Sequence, residues 1–541
     1  MPFAPLTNSP VQLNLSRAAA CVLALGFSAR IYLFYQIPII SPDSHLYIQQ
    51  AKALYFGLFD QILSCYSYLS PYPVAVCAAY RIFGDWVIAA QSVNIFFSTL
   101  TIIPFYWLLR RFFDDTVASL TALVFALLPA YTFVSTDALR DPLFWFFSVS
   151  GLYLFILHIE KRRPGVLLCC SFCLAFATWA RIEGSLYILV TACYLPFIKN
   201  RNRWTDLLIF LTPYIILLFM LIGLASGLGL NWVEILNPKR ILNLPLGVIS
   251  QYEGLRNELK TLYQPDLFTV SKYFFDRIRS LVWIIALVAL IVLIVETLLY
   301  IFFGFLLAGA VSLGHSAWTD KRIRYIAFIC ISALGLLYFQ TFCAWHAAER
   351  HLAVFLLPAF IFIGAGIKRF HLFLSNRFRC RPATGYAVVC ALVLLTVAPK
   401  IIRANYDADK LIFREIGLFI SQRETGQRAV SVCGAFKRVT DVHFYANVNT
   451  PWAPCFDTGA LFYRTKAELL QFIQNQKYDY FIWDQAGWQH EGITPSSVNS
   501  ANGFHNIREW HSKKLGRLIL YEVILPSKTG ATLKSINERQ P

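Results

Sequence analysis

The sequence predicts an α-helical polytopic membrane protein of about eleven transmembrane helices, followed by a small extracytoplasmic α/β domain. Three observations predict it. First, 57% of the 541 residues are apolar and only 15% are charged, where a soluble chain carries about a quarter charged residues. Second, the apolar residues come in blocks of roughly 20, the length that crosses about 30 Å of hydrocarbon as a helix. Third, Phe, Tyr and Trp make up 16% of the chain, and many sit where a block meets its polar flank, as in an interfacial belt. A single soluble globule is excluded.

In chain order, spans are predicted near 15–37, 86–109, 116–134, 142–159, 165–180, 184–198, 206–228, 281–314, 325–343, 352–367 and 383–401. The first block lacks a small-residue cleavage site and is expected to stay as a signal anchor. Block 281–314 is too long for one upright helix. It is either one tilted or partly interfacial helix or two spans; if two, everything after it changes sides. No internal repeat or low-complexity run interrupts the chain.

Orientation follows from the basic residues. The loops at 110–111, 161–163, 199–203, 321–324 and 368–381 hold 16 Lys and Arg, and all five fall on one face if the N-terminus is inside. The short loops of the other face, around 135–141, 177–184 and 344–351, hold one each. That bias assigns the basic face to the cytoplasm. It also explains the net charge of +17 by topology and membrane-lipid headgroups, so no nucleic-acid partner is expected.

The domain organisation is then a transmembrane domain, 1–401, with outer loops 38–85 and 229–280, and an extracytoplasmic α/β domain, 402–541. Both outer loops are too apolar for linkers and are expected as short amphipathic helices on the membrane surface. In the tail, 429–432, 480–483 and 518–521 read as strands and 462–477 has helical periodicity. Most of the 13 cysteines lie in apolar blocks, where they act as small apolar residues. Cys65/Cys77 and Cys433/Cys455 lie outside, either as disulfides or as free thiols. No metal-ligand spacing occurs, and no cofactor is expected.

Ionisable groups beside a bilayer are costly and are functional candidates by default. Here they collect on the outer face. Asp43 follows the first span; Asp137, Arg140 and Asp141 lie between spans three and four. Arg181 and Glu183 lie between five and six, and His346, Glu349, Arg350 and His351 between nine and ten. Bland readings stand beside these. Asp43 and Asp141 are each well placed to start a helix. Arg181 with Glu183, and Glu349 with Arg350, fit local ion pairs, and His351 fits an interfacial side chain.

Asp43, then Tyr47 and the run Ala51-Lys52-Ala53-Leu54-Tyr55-Phe56-Gly57, resembles the first outer loop of GT-C glycosyltransferases. It is most similar to the branch of the protein O-mannosyltransferases and the lipid A aminoarabinose transferase. Ser135-Thr136-Asp137-Ala138-Leu139-Arg140-Asp141-Pro142 resembles that branch's second acidic loop. Arg350-His351-Leu352 leading to Leu357-Pro358 resembles its Arg-then-Pro span, and His443-Phe444-Tyr445-Ala446 a segment of its outer domain. The resemblance covers about 1–400 in layout.

It implies an inverting glycosyltransferase of a bacterial inner membrane, moving a sugar from a polyprenyl phosphate to a lipid, glycan or protein acceptor on the periplasmic side. Such a donor leaves as a stable anion and needs cations more than a strong acid, while the acceptor hydroxyl needs a carboxylate base. The resemblance implies Asp43 as the base, with Asp141 orienting the base or acceptor. Arg181 and Arg350 would hold the donor phosphate, with Lys52 or Arg140 as further contacts; Asp137, Glu183, His346 and His351 are further candidates. Relatives that pair Asp with Glu bind a metal there; Ser44 follows Asp43 here, so no metal is expected. Three rivals are a transporter or flippase of lipid-linked sugars, an O-antigen ligase or polymerase, and a non-catalytic membrane scaffold. A transporter expects ionisable groups at the bilayer midplane, and Glu296 is the main such residue inside a span.

Overall fold

The computed structural model describes residues 15–37, 39–64, 66, 68–198, 202–227, 244–261, 272–345, 348–379, 381–402, 408–425, 428–434, 436, 438–453, 468, 472–473, 478–488, 494–498 and 503–524. The chain forms two compact units. One comprises 1–31, 95–135 and 140–403; the other comprises 32–94, 136–139 and 404–541.

The helices are α1 (Arg17–Gln36), α2 (Pro42–Tyr55), α3 (Pro71–Phe83), α4 (Trp86–Arg110), α5 (Asp115–Leu127), α6 (Pro129–Thr136) and α7 (Asp141–Glu160). There follow α8 (Pro164–Ala180), α9 (Ser185–Tyr194), α10 (Arg203–Gly227), α11 (Leu244–Thr261), α12 (Lys272–Thr297) and α13 (Ile301–Leu313). Last come α14 (Lys321–Ala344), α15 (Ala353–Phe378), α16 (Pro382–Ile402), α17 (Ala408–Arg423) and α18 (Val439–Ala446). Every apolar block is therefore helical. Among the described residues, eight helices are long and apolar enough to cross a membrane, and nine if the bent pair α5–α6 is one span. Segments 164–180, 182–197 and 301–313 are shorter apolar helices.

Two breaks shape the first unit. Between α5 and α6 the chain bends by 51°. Pro129 lacks an N–H and drives its predecessor out of the helical region; Leu128 accordingly has φ −57° and ψ 126°. Past the bend the last carbonyls of α5 lose helical partners, and the Ala126 oxygen is taken by Arg30 Nη1 at 2.9 Å. Arg30 lies inside α1, fully buried, and also donates to Ser98 Oγ (2.8 Å) and the Gly26 carbonyl (2.8 Å). It is a charged residue within a span that the sequence reading passed over. The second break resolves block 281–314 into α12 and α13, with positive φ at Leu299 (53°) and Tyr300 (60°). Glu296 lies in the last turn before that break rather than in mid-helix.

An ion-pair lattice fixes which loops share a face of this unit. Arg322 donates to Glu160 Oε1 (2.9 Å), to the Arg111 carbonyl (2.8 Å) and to Asp320 Oδ2 (2.7 Å), and Arg111 pairs with Glu160. Arg162 grips Asp206 through Nε (2.9 and 3.0 Å) and Nη2 (2.8 Å). Loops near 111, 160, 206 and 321 thus lie on one side. The chain leaves this side through α10 and is back on it at 320, so α12 and α13 together make one net crossing. The sides after the block do not change.

In the second unit, α2 and α3 make the segment between α1 and α4 helical; α2 is largely buried in the protein, and Gly84 ends α3 at φ +67°. The tail carries β1 (Val432–Gly434), β2 (Tyr480–Asp484), β3 (Phe504–Ser512) and β4 (Gly516–Val523) in the order β1-β2-β4-β3. β1 and β2 are parallel; the other pairs are antiparallel. One sheet face packs on α17 and α18 through Phe413, Ile416, Val442, Tyr480 and Leu520. β2 and β4 fall on the expected strands 480–483 and 518–521, β1 begins only at the last residue of the expected 429–432, and β3 was not anticipated. Most of 462–477, and Cys65 and Cys455 from the two cysteine pairs, lie outside the described residues.

Candidate active site

In the second unit, the segment after the first span turns into α2 at Ser41, with Pro42 in the first helical turn. Asp43 follows, half-buried in that turn. The N-terminus of the helix is served by another residue, Asp137. Its Oδ1 accepts the Ser41 N–H (2.8 Å), the Ser44 hydroxyl (2.8 Å) and its neighbour's N–H at Ala138 (2.9 Å). An anion at a helix N-terminus meets both unpaired N–H groups and the positive end of the dipole. Asp137 is in turn held by its own carbonyl, which accepts Asn94 Nδ2 at 2.5 Å, while Gln91 Nε2 reaches the Thr136 carbonyl at 2.7 Å. Sequence reasoning missed Gln91 and Asn94, although two amides three residues apart in an apolar block were the available signal.

Farther along α2, two residues join the C-terminal part of the same unit. Lys52 is fully buried, and its ammonium donates to the carbonyls of Asn447 (2.9 Å) and Val448 (3.3 Å). Burial pushes it down to about 7. This corrects the expectation of Lys52 as a donor-phosphate contact: its charge is directed at backbone inside the α/β unit. His45 stacks on Phe444, with ring centroids 4.1 Å apart and planes within 6°, and its Nε2 lies 3.7 Å from Asp441 Oδ1. Burial, then the neighbouring His443 and Arg438, pushes His45 down to about 3. Burial raises Asp441 to about 6 against the pull of Arg438, whose guanidinium donates to Asp441 Oδ2 at 3.0 Å. The 443–446 segment singled out from the sequence is thus packed on α2 through Phe444.

In the first unit two of the candidate loops are joined by ion pairs, and a third carries His351, which feels the charges of Arg181, Glu183 and Asp141. Arg181 ends α8 in an extended conformation (φ −146°, ψ 132°), which turns its side chain away from the helix axis. Its guanidinium pairs with Asp141 through Nη1 and with Glu183 through Nη2 (2.5 Å) and Nε (3.3 Å). Arg181 is 5% and Asp141 1% exposed, so this is a buried three-group cluster with one excess negative charge. Asp141 itself opens α7 ahead of Pro142. Glu349 and Arg350 lie in the short turn Glu349–Leu352 that precedes α15. His351 Nδ1 accepts from the Gln340 amide at 2.9 Å, leaving the ring proton on Nε2. Arg140 precedes α7 without capping it. His346 lies outside the described residues.

Each unit, taken by itself, carries one chemical capability. A half-buried carboxylate at the head of α2 can accept a proton, and the cation-bearing turn at Arg350 can receive an anion. Arg181 is differently placed from the expectation: three of its five N–H donors already serve carboxylates, as the local ion-pair reading has it.

Residues 72–226 match the model of the family described as dolichyl-phosphate-mannose-protein mannosyltransferase. The matched stretch includes Asp137, Arg140, Asp141, Arg181 and Glu183; Asp43 and Arg350 lie outside it. The match spans under a third of the chain, and together with the fold it makes the chain similar to the GT-C glycosyltransferases that use polyprenyl-phosphate sugars. Two solved structures are similar over nearly the whole chain. One is ArnT from Cupriavidus metallidurans bound to undecaprenyl phosphate, 11% identical with a TM-score of 0.54, covering 93% of this chain and 97% of that one. The other is the archaeal oligosaccharyltransferase AglB from Archaeoglobus fulgidus, in complex with an inhibitory peptide and a dolichol-phosphate. It is 11% identical with a TM-score of 0.52, covering 93% of this chain and 74% of that one. At this identity the likeness is one of fold. A comparison with the curated proteins gives no match.

Proposed function

We propose that the chain is an inverting glycosyltransferase whose chemistry lies on the extracytoplasmic face of the membrane, with a lipid, glycan or protein acceptor. The observation that carries this reading is the division of labour at the head of α2. Asp137 takes up the N–H of Ser41 and the hydroxyl of Ser44 where the chain enters the helix, while Asp43 stands half-buried in the first turn. In the proposed reaction Asp43 accepts the proton of the acceptor hydroxyl as its oxygen attacks the anomeric carbon from the face opposite the phosphate. The bond between that carbon and the phosphate oxygen breaks, and polyprenyl phosphate leaves with one more negative charge than it had as a diester. Arg350, with Arg140, is assigned to that developing charge. Arg181 braces Asp141 and Glu183, and Asp141 orients the acceptor. The lipids bound in the similar ArnT and AglB structures, undecaprenyl phosphate and a dolichol-phosphate, support a polyprenyl carrier here.

The test is purified protein incubated with a panel of radiolabelled polyprenyl-phosphate sugars and a membrane extract. Transfer of label to an extract component, abolished by Asp43→Asn, supports the reading. Movement of intact donor between leaflets without transfer would favour a flippase instead.

A further inference from the structure

The close approach of α13 and α15 leaves a groove that none of the proposed chemistry uses. The two helices are drawn to backbone contact by glycines: a Cβ at Gly309 would run into the Phe362 carbonyl, and one at Gly366 into that of Phe305. Toward the start of α13, Gly304 and Ala308 supply little bulk, and a Cβ at Gly304 would meet nothing within 4 Å. The result is an open cavity of about 340 Å³ floored by Phe305 and Phe370, with ring centroids 5.5 Å apart. Phe373 forms a wall, and the one charged side chain lining it is Arg369. Arg369 is exposed and follows Lys368 at the start of the basic run 368–381, and no Asp or Glu occurs anywhere from 350 to 406.

We propose that this groove is a binding site for an anionic phospholipid of the surrounding bilayer, one acyl chain lying in the groove and the phosphate on Arg369. In a membrane the apolar groove is filled by some chain whatever its headgroup, because lipid tails are as apolar as the groove. Selectivity must therefore come from charge, and a basic pocket between spans on the Lys/Arg-rich face is suited to anionic headgroups. The absence of carboxylates along 350–406 leaves the positive field of the run uncompensated by its own segment.

The full-length protein, reconstituted in vesicles of equal parts phosphatidylcholine and phosphatidylglycerol, is released for native mass spectrometry and its retained lipids counted. The expectation is retained phosphatidylglycerol about five-fold over phosphatidylcholine, the preference that one cation near the membrane surface supports. Arg369→Gln should abolish most of that preference and Arg369→Lys keep most of it. Gly304→Leu, which fills the groove and leaves the charge, should reduce the number of retained lipids, with an unchanged melting temperature as the check on folding. Equal retention of both lipids by the parent protein would overturn the proposal. So would loss of preference in Arg369→Gln with full retention in Gly304→Leu, which would show headgroup attraction without a groove site.

Discussion

The hydroxyl of Ser44 donates to the carboxylate of Asp137 at 2.8 Å, and the same oxygen accepts the backbone N–H of Ser41. Two carboxylates near the head of α2 therefore have separable duties, and mutation should separate them. Asp43→Asn keeps shape and removes the proton acceptor. Transfer should fall about 10²–10⁴-fold with the melting temperature nearly unchanged. Asp137→Asn should show the reverse emphasis: a loss of about 1 kcal/mol of stability as a helix-start anchor, and a smaller loss of rate. Steady-state transfer and thermal melts of both variants check the pair. Near-parental transfer by Asp43→Asn would move the base elsewhere, with Asp141 next in line.

Arg181 is held by two buried carboxylates, so its removal should be mainly a structural injury. Arg181→Ala strands Asp141 and Glu183 without a counter-charge, which typically costs roughly 3–5 kcal/mol. Adding Asp141→Asn to it should recover part of the loss, because one orphaned charge goes. Thermal melts of the parent, single and double variants read this out; a fully stable Arg181→Ala protein would contradict the cluster.

Arg350 is expected to act on the donor. Arg350→Ala should weaken donor binding roughly ten- to hundredfold, the value of a charged hydrogen bond. Arg350→Lys should fall between, since an ammonium cannot present a planar fork to two phosphate oxygens. Donor KM and direct binding of polyprenyl phosphate measure it, and unchanged affinity in the alanine variant would remove the phosphate role.

What the sequence made legible was what local pattern encodes. Apolar blocks marked the helices, and β-branched and aromatic runs marked β2, β4 and the first residue of β1. Charges recurring before successive blocks marked the cluster of Asp141, Arg181 and Glu183. The break at 298–300 was not legible, because Leu298, Leu299 and Tyr300 include no Gly or Pro to signal it. β3 was missed because it is an edge strand whose exposed positions are polar, so the apolar run is absent. Lys52 was misdirected for another reason. Its partners are carbonyls almost 400 residues away, and no local rule anticipates a long-range backbone contact.

The buried pair His45 and Asp441 gives opposed pH dependences. His45 titrates near 3 in the fold against 6.5 unexposed to it, so the unfolded chain binds the extra proton and stability falls as pH drops through that window. Asp441 titrates near 6 against 3.8. There the folded state holds the extra proton, and stability falls as pH rises from about 3.8 to 6. Between about 4 and 6 the two slopes largely cancel. Asp441→Asn removes the opposing one, so its melting temperature should drop steadily from about pH 6.5 downward while the parent stays nearly flat to about pH 4. Melts of the full-length protein in detergent across this range test it; parallel profiles would mean that the pair does not titrate in this way.

The last prediction concerns sidedness. The lattice of Arg111, Glu160, Arg322 and Asp320 ties the basic loops to one face of the first unit, and the positive-inside bias assigns that face to the cytoplasm. Two crossings by α12 and α13 would instead carry half of the 16 basic loop residues outside. The 13 residues of α13 rise only about 20 Å, short of the roughly 30 Å of hydrocarbon. One net crossing is therefore favoured by length, charge and the ion pairs together. Single cysteines placed at His315, Arg377 and Lys513 in a cysteine-free background distinguish the cases with a membrane-impermeant maleimide applied from outside. The expected result is labelling at Lys513 alone. Labelling at His315 and Arg377 but not Lys513 would place the second half of the chain the other way round. Labelling at none of the three would place the C-terminal domain, and α2 that packs with it, on the cytoplasmic side.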